Sequence, residues 1–232
     1  MTAAAPAQGT SRQEERSRST RLRVLEAALD CLVERGWSGT TTTVVAERAG
    51  VSRGAQLHHY RTKSALVVAA VEHLAERRAA ELRAEVAALP AGGDRVTRTV
   101  DLLASLFTGP LFAAAIEVWV AARSDAPLRA ALLPVETRFG REVHRLTVEL
   151  LGADESRPGV RECVQATLDL MRGLGVASLL TDDSARRERL LAEWSRQLAA
   201  TLAGSVAPGS ADPSGSVGAP AAGSARLRAG AM

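Results

Sequence analysis

Aromatic residues are scarce in this chain: three Trp, three Phe and one Tyr among 232 residues. Its core must be filled mainly by leucine, valine and alanine, a mixture that favours helices. Cysteine is scarcer still. Cys31 and Cys163 stand far apart in helix-like patterns, which excludes a disulfide framework and a thiolate metal site, and both read as small core residues. No apolar run approaches the roughly 20 residues of a membrane span. The stretch from Leu111 to Ala122 is broken by Glu117. Period-two alternation is missing as well, so no sheet is expected, and no internal repeat is found. The first eighteen residues are polar and lack the apolar segment of a secretory signal, which points to a cytoplasmic protein.

The furniture of catalysis is also missing. We find no nucleophile beside a base, no phosphate-binding glycine loop and no zinc-binding helix. The paired acids Glu14-Glu15 and Asp182-Asp183 read as solvated and helix-capping groups. His58-His59 makes a poor metal site, because neighbours on a helix point about 100 degrees apart. An enzyme is not expected, and no cofactor or metal is implied.

What the sequence does have is helical period and one local charge excess. Residues 11 to 63 carry ten Arg or Lys against six Asp or Glu, while the remainder is close to neutral. That asymmetry suits a nucleic-acid contact, though an excess of this size needs a motif to support it. Residues 1–16 and 205–232, rich in Ala, Gly, Ser and Pro, read as disordered tails. Between them Leu22, Leu25, Leu29, Leu32 and Val33 mark a first helix that Gly36 stops. The run Thr40 to Thr43 offers N-caps for a short second helix ending at Ala49-Gly50, and Ser52 caps a short third helix reaching His59. Thr62 or Ser64 caps a long fourth helix toward Leu89, which Pro90 and Gly92-Gly93 end. Further helices are expected at about 94–107, 111–123, 127–151 with a bend at Pro134, 159–180 and 184–203.

Two short helices joined by Ala49-Gly50-Val51-Ser52 describe a helix-turn-helix, in which glycine permits the sharp turn and valine plugs the angle between the helices. By geometry alone, such a pair also occurs in proteins that never touch DNA. Gly36-Trp37, the threonine run, Ala46, Ala49 to Gly54 and Tyr60-Arg61-Thr62-Lys63-Ser64-Ala65-Leu66 resemble the TetR family signature in order and spacing. The resemblance covers roughly residues 18 to 75. It implies an all-α protein with a DNA-binding domain at 17–64 and a ligand-binding and dimerising domain at 65–204.

Carried onto this sequence, the resemblance implies that Arg53, Ala55, Leu57 and His58 approach base edges, with His59 and Lys63 toward phosphates and Ser52 and Gly54 belonging to the same DNA-binding surface. Chemistry agrees for Arg53, whose guanidinium can donate two hydrogen bonds to guanine O6 and N7. Thr41, Thr42 and Thr43 open the second helix, where free backbone N–H groups and hydroxyls suit a phosphate. The polar Gln56 and apolar Leu57 are exchanged relative to the family pattern. Tyr60 reads as an aromatic plug of the small core.

The larger domain offers apolar faces that fit either a filled core or a cavity. The resemblance implies an effector cavity, for which Leu103, Phe107, Phe112, Ile116, Trp119, Phe139 and Leu170 are the expected lining, with Glu117, Arg123 and Arg172 as polar groups to watch. The last two helices carry more leucine than one core needs, and the resemblance makes them a homodimer interface. The expected function is that of a repressor on palindromic double-stranded operator DNA, released by a small apolar or amphipathic effector. Two alternatives stay open at this point: an all-helical enzyme, and a DNA-binding scaffold with a filled core.

Overall fold

The structure, a computed structural model, describes residues 8–88 and 94–204. These form the helices α1 (Gln8–Gly39), α2 (Thr42–Ala49), α3 (Arg53–His59), α4 (Lys63–Ala87), α5 (Arg95–Leu106), α6 (Pro110–Ser124), α7 (Ala126–Leu151), α8 (Val160–Ala177) and α9 (Ser184–Ala203). No strand occurs among the described residues, and the all-α expectation holds. The tail expected at 205–232, residues 1–7 and the stop at Pro90 and Gly92-Gly93 lie outside them.

One boundary differs from expectation. Residues 8–16, read as part of a disordered tail, continue α1. Gln13, Glu14, Glu15 and Arg16 are good helix formers, and adding turns to an existing helix avoids the nucleation cost that an isolated segment would bear. Glu14 and Arg18 also share the spacing at which opposite charges support a helix.

Three apolar clusters tie the helices together. The first joins α1 (Val24, Leu25, Ala28, Leu29, Cys31) to Val45, Tyr60 and the first turns of α4 at Leu66 and Ala70. The second joins Leu32 of α1 and Val67 and Val71 of α4 to Val118 of α6 and Leu128, Leu132 and Val135 of α7. The third fills the larger bundle with Leu82, Leu103, Phe107, Leu146, Met171 and Leu198. Helix α4 contributes to all three, so it is the beam on which the N-terminal helices are mounted. Removing Leu32 or Val67, both almost wholly buried, would cut the middle cluster, and a large-to-small change of this kind costs about 1–5 kcal/mol.

Among the described residues no single helix is long and apolar enough to cross a membrane. Helices α5 and α6 reach such a composition only when taken together across a 60° bend. Both supply buried side chains to the clusters above.

Candidate nucleic-acid interface and effector cavity

The helix-turn-helix is held by its own polar side chains. Thr41 Oγ1 accepts from the Val44 N–H at 3.2 Å and starts α2. Gly50 ends that helix with φ at 62°, a left-handed conformation that costs glycine nothing, while the Gly50 and Val51 amides donate back to Glu47 and Ala46. Ser52 then caps α3 by accepting from the Ala55 N–H at 3.1 Å. Thr62 caps α4 in the same way. Each such cap contributes about 1 kcal/mol, so the order of the short helices is written locally.

The inward edge of α3 is Gln56, which is wholly buried and donates through Nε2 to the Tyr60 carbonyl at 2.9 Å. Among the described residues its Oε1 has no hydrogen-bond partner. Tyr60 is buried beneath it, with its hydroxyl accepting from Arg21 Nε at 3.0 Å. With Gln56 turned in, Ser52, Arg53, Gly54 and His58 are exposed, and Ala55, Leu57 and His59 are half-buried. Burial, then the neighbouring His58 and Arg21, holds the His59 imidazole below its ordinary pKa and therefore neutral near pH 7. Arg48 of α2 is clamped by Glu34 and Asp30, whereas Arg53 forms no ion pair among the described residues.

In the larger bundle a small, partly open cleft, with a cavity volume of about 80 Å³, lies between α4, α6, α7 and α8. Phe107, Phe112, Trp119 and Phe139 give it an aromatic lining, and Val71, Leu74, Ala75 and Arg78 form the α4 wall. Two polar groups converge in it. Trp119 Nε1 donates to Glu136 Oε1 at 2.8 Å. Burial pushes the Glu136 carboxyl above the usual range, with the Trp119 bond and the charge of Arg172 acting against it. Arg172 lies 5.1 Å from the Phe107 ring centre and pairs with Asp169 at 2.6 Å. An apolar site with a few fixed polar groups suits a small amphipathic molecule. Apart from the cleft, Val176, Leu179, Leu180 and Leu190 of the α8–α9 region are large apolar side chains left exposed.

This arrangement can be set beside known proteins. The sequence profile of the bacterial regulatory proteins of the tetR family matches residues 24–70. The transcriptional regulator CymR of Pseudomonas putida is 34% identical over 180 residues, which cover 77% of this chain and 88% of CymR. The chain belongs to the TetR family of transcriptional regulators. Among solved structures it resembles a putative transcriptional regulator from Pseudomonas aeruginosa PAO1, with a TM-score of 0.62 and 25% identity over 78% of this chain and 90% of that one. The multidrug binding protein EbrR, solved with ethidium, shares the fold with a TM-score of 0.56 and 24% identity, over 75% of this chain and 97% of that chain. As a TetR-family helix-turn-helix regulator the protein binds DNA and is not an enzyme.

Most of the named α3 residues share the outward face, while the half-buried Lys63 is engaged on the protein's own backbone. Its ammonium donates to the Trp37 carbonyl at 2.5 Å and sits 4.1 Å from the Trp37 ring centre. Burial there lowers its pKa. The Thr41 hydroxyl accepts in its cap and keeps its own O–H to donate, and Thr41 and Thr43 are exposed while Thr42 is half-buried. Of the expected cavity residues, Phe107, Phe112, Trp119 and Phe139 line the cleft. Leu103 is instead buried in the core, and Ile116 and Leu170 pack against it, because their helix faces turn toward the bundle interior. Glu136, Arg78 and the α4 wall were missed. Glu136 had a usable signal, since it follows Leu132 by four and precedes Phe139 by three, on an otherwise apolar stripe.

Proposed function

We propose that this TetR-family regulator is a ligand-responsive repressor that binds a palindromic operator as a homodimer and is released by a small apolar or amphipathic effector. In this reading residues 17–64 form the DNA-binding unit and 65–204 the sensing and dimerising unit. Helix α3 enters the major groove, where Arg53 reads a guanine and Ser52, Gly54, Ala55, Leu57 and His58 complete the contact with base edges. Thr42 and Thr43, with His59, position the protein on phosphates. The exposed apolar side chains of α8 and α9 meet their copies across a two-fold axis, which sets the two recognition helices about one DNA turn apart or somewhat more.

The observation that carries the reading is the double duty of α4. Its residues Leu66 and Ala70 complete the core beneath the helix-turn-helix, and its next turns, Val71, Leu74, Ala75 and Arg78, wall the cleft. An effector seated against that wall has differential contacts with any two positions of α4, which is what a ligand needs in order to shift an equilibrium. The shift alters the separation of the paired α3 helices and weakens operator binding.

Selection of bound duplexes from random DNA, followed by displacement of the selected operator with a panel of amphipathic compounds, tests both halves. A palindromic selected sequence, and a compound that both stabilises the protein against heat and releases the operator, are expected. Indifference to every duplex at low salt would end the reading of DNA recognition. A tightly bound cleft ligand that leaves operator affinity unchanged would end the reading of effector release.

A further inference from the structure

The backbone of Trp37 is held on both sides of its Cα. Helix α1 breaks at Gly36, which has φ at 65° and ψ at −175°, so the turn that follows begins afresh with the Trp37 N–H as a free donor. Glu117, eighty residues away on α6, accepts that N–H through Oε2 at 2.6 Å. The Trp37 carbonyl is taken by the ammonium of Lys63, the first residue of α4. Two successive peptides at the edge of the DNA-binding unit are thus gripped, one by a carboxylate from one helix and the next by a cation from another. A Cβ placed on Gly36 would stand 2.3 Å from Glu117 Oε2, so the carboxylate reaches this bend only because residue 36 has no side chain in its way.

The two helices that hold this stretch of backbone are also two walls of the cleft. Helix α4 presents Val71, Leu74, Ala75 and Arg78 to it, and α6 presents Ala115 and Trp119. Glu117 lies two residues from each of these α6 residues, about 200 degrees around the helix, so α6 carries the cleft on one face and the grip on the other. Spreading α4 from α6 draws Lys63 and Glu117 apart on either side of Trp37.

We propose that Glu117 and Lys63 are positioning residues that clasp the backbone on either side of Trp37, fix the helix-turn-helix in its operator-binding orientation, and transmit occupation of the cleft to it. The proposal rests on the effector-responsive reading above and names its coupling point. Glu117 touches no DNA in this scheme. Its removal frees the N-terminal helices to swivel about Gly36, which loosens the spacing of paired recognition helices without altering the phosphate-binding surface of either one.

The test uses the full chain, the operator that the wild type selects, a non-specific duplex at low salt, three single variants and one double variant. Glu117→Ala is expected to weaken operator binding about ten-fold, with non-specific binding and the unfolding midpoint close to wild type, because the exposed bond orients the unit more than it stabilises the fold. Glu117→Gln keeps an acceptor oxygen for the Trp37 N–H and is expected to recover most of the loss. Phe139→Trp, which adds bulk to the cleft from the α7 wall, stands in for an occupant and needs no identified effector. It is expected to weaken operator binding in the wild-type background and to add nothing in the Glu117→Ala background.

An operator affinity unchanged by Glu117→Ala would overturn the clasp, as would an equal effect of Phe139→Trp in both backgrounds. So would a parallel fall of operator affinity, non-specific affinity and unfolding midpoint in Glu117→Ala, which would make Glu117 a plain stabilising contact. A wild type that selects no duplex defeats the underlying reading itself, and the clasp with it.

Discussion

Two arginines near the turn show how neighbours decide what one side chain can do. Arg48 spends its guanidinium on Glu34 and Asp30, which fastens α2 to α1, while Arg53 stands exposed at the start of α3 without an ion pair among the described residues. Arg53→Ala is therefore expected to cost about 1–3 kcal/mol of operator binding and to relax the preference at one base position, with far less effect on non-specific duplexes. Titration of both duplex types measures it, and an equal loss on each would reassign Arg53 to phosphate contact. Glu136 offers a second test at this scale. Burial raises its folded-state pKa above that of the unfolded chain, so the stability that protonated Glu136 supports is fully present below the ordinary glutamate range and is lost as pH rises through the raised value. Glu136→Gln keeps an acceptor for the Trp119 N–H and cannot ionise. Its melting-temperature advantage over wild type should grow from acid to neutral pH, and a difference that stays flat with pH would show that ionised Glu136 carries no burial cost.

At the scale of elements, the helix ends were the most readable part of the chain. Thr41, Ser52 and Thr62 each cap a helix that their position in the sequence announces, and Gly50 reverses the chain where a left-handed residue was required. The extension of α1 over residues 8–16 was not readable, because composition judged that segment alone and not as a continuation of a formed helix. The apolar surplus of the last two helices was visible as a count. The structure sorts it: Leu168, Met171, Leu174 and Leu198 are buried, whereas Val176, Leu179 and Leu190 are at least a third exposed and Leu180 is almost wholly so. A double variant Val176→Glu/Leu190→Glu should be monomeric by light scattering while keeping its helix content. Its operator affinity should fall steeply, since two half-sites would no longer be bound as one. A dimer that persists in this variant would place the interface elsewhere.

For the whole molecule, the proposed linkage between cleft and operator must run both ways. A compound that binds the folded protein alone, present at about 100 times its Kd, should stabilise it by about 2.7 kcal/mol. Whatever factor it takes from operator affinity, the operator must take from its own affinity. Thermal unfolding and compound titration with and without the operator duplex measure the two factors, and a mismatch between them would exclude a simple two-state linkage. The cleft itself was only half legible for a reason of the same scale. Phe107, Phe112, Trp119 and Phe139 could be named as bulky residues at helical spacing, but Leu103, Ile116 and Leu170 have the same spacing and face inward. Arg78, Glu136 and Arg172 meet only because α4, α7 and α8 converge.

The order of helices, the turn at Gly50, the caps and the exposed Arg53 edge were fixed by the sequence itself, because each rests on interactions within a few residues. The site of the cleft, the inward turn of Lys63 and the grip of Glu117 on Trp37 were decided by tertiary packing alone. These depend on which faces of helices distant in sequence come to share an interior, and periodicity says that a face is apolar without saying what it will meet.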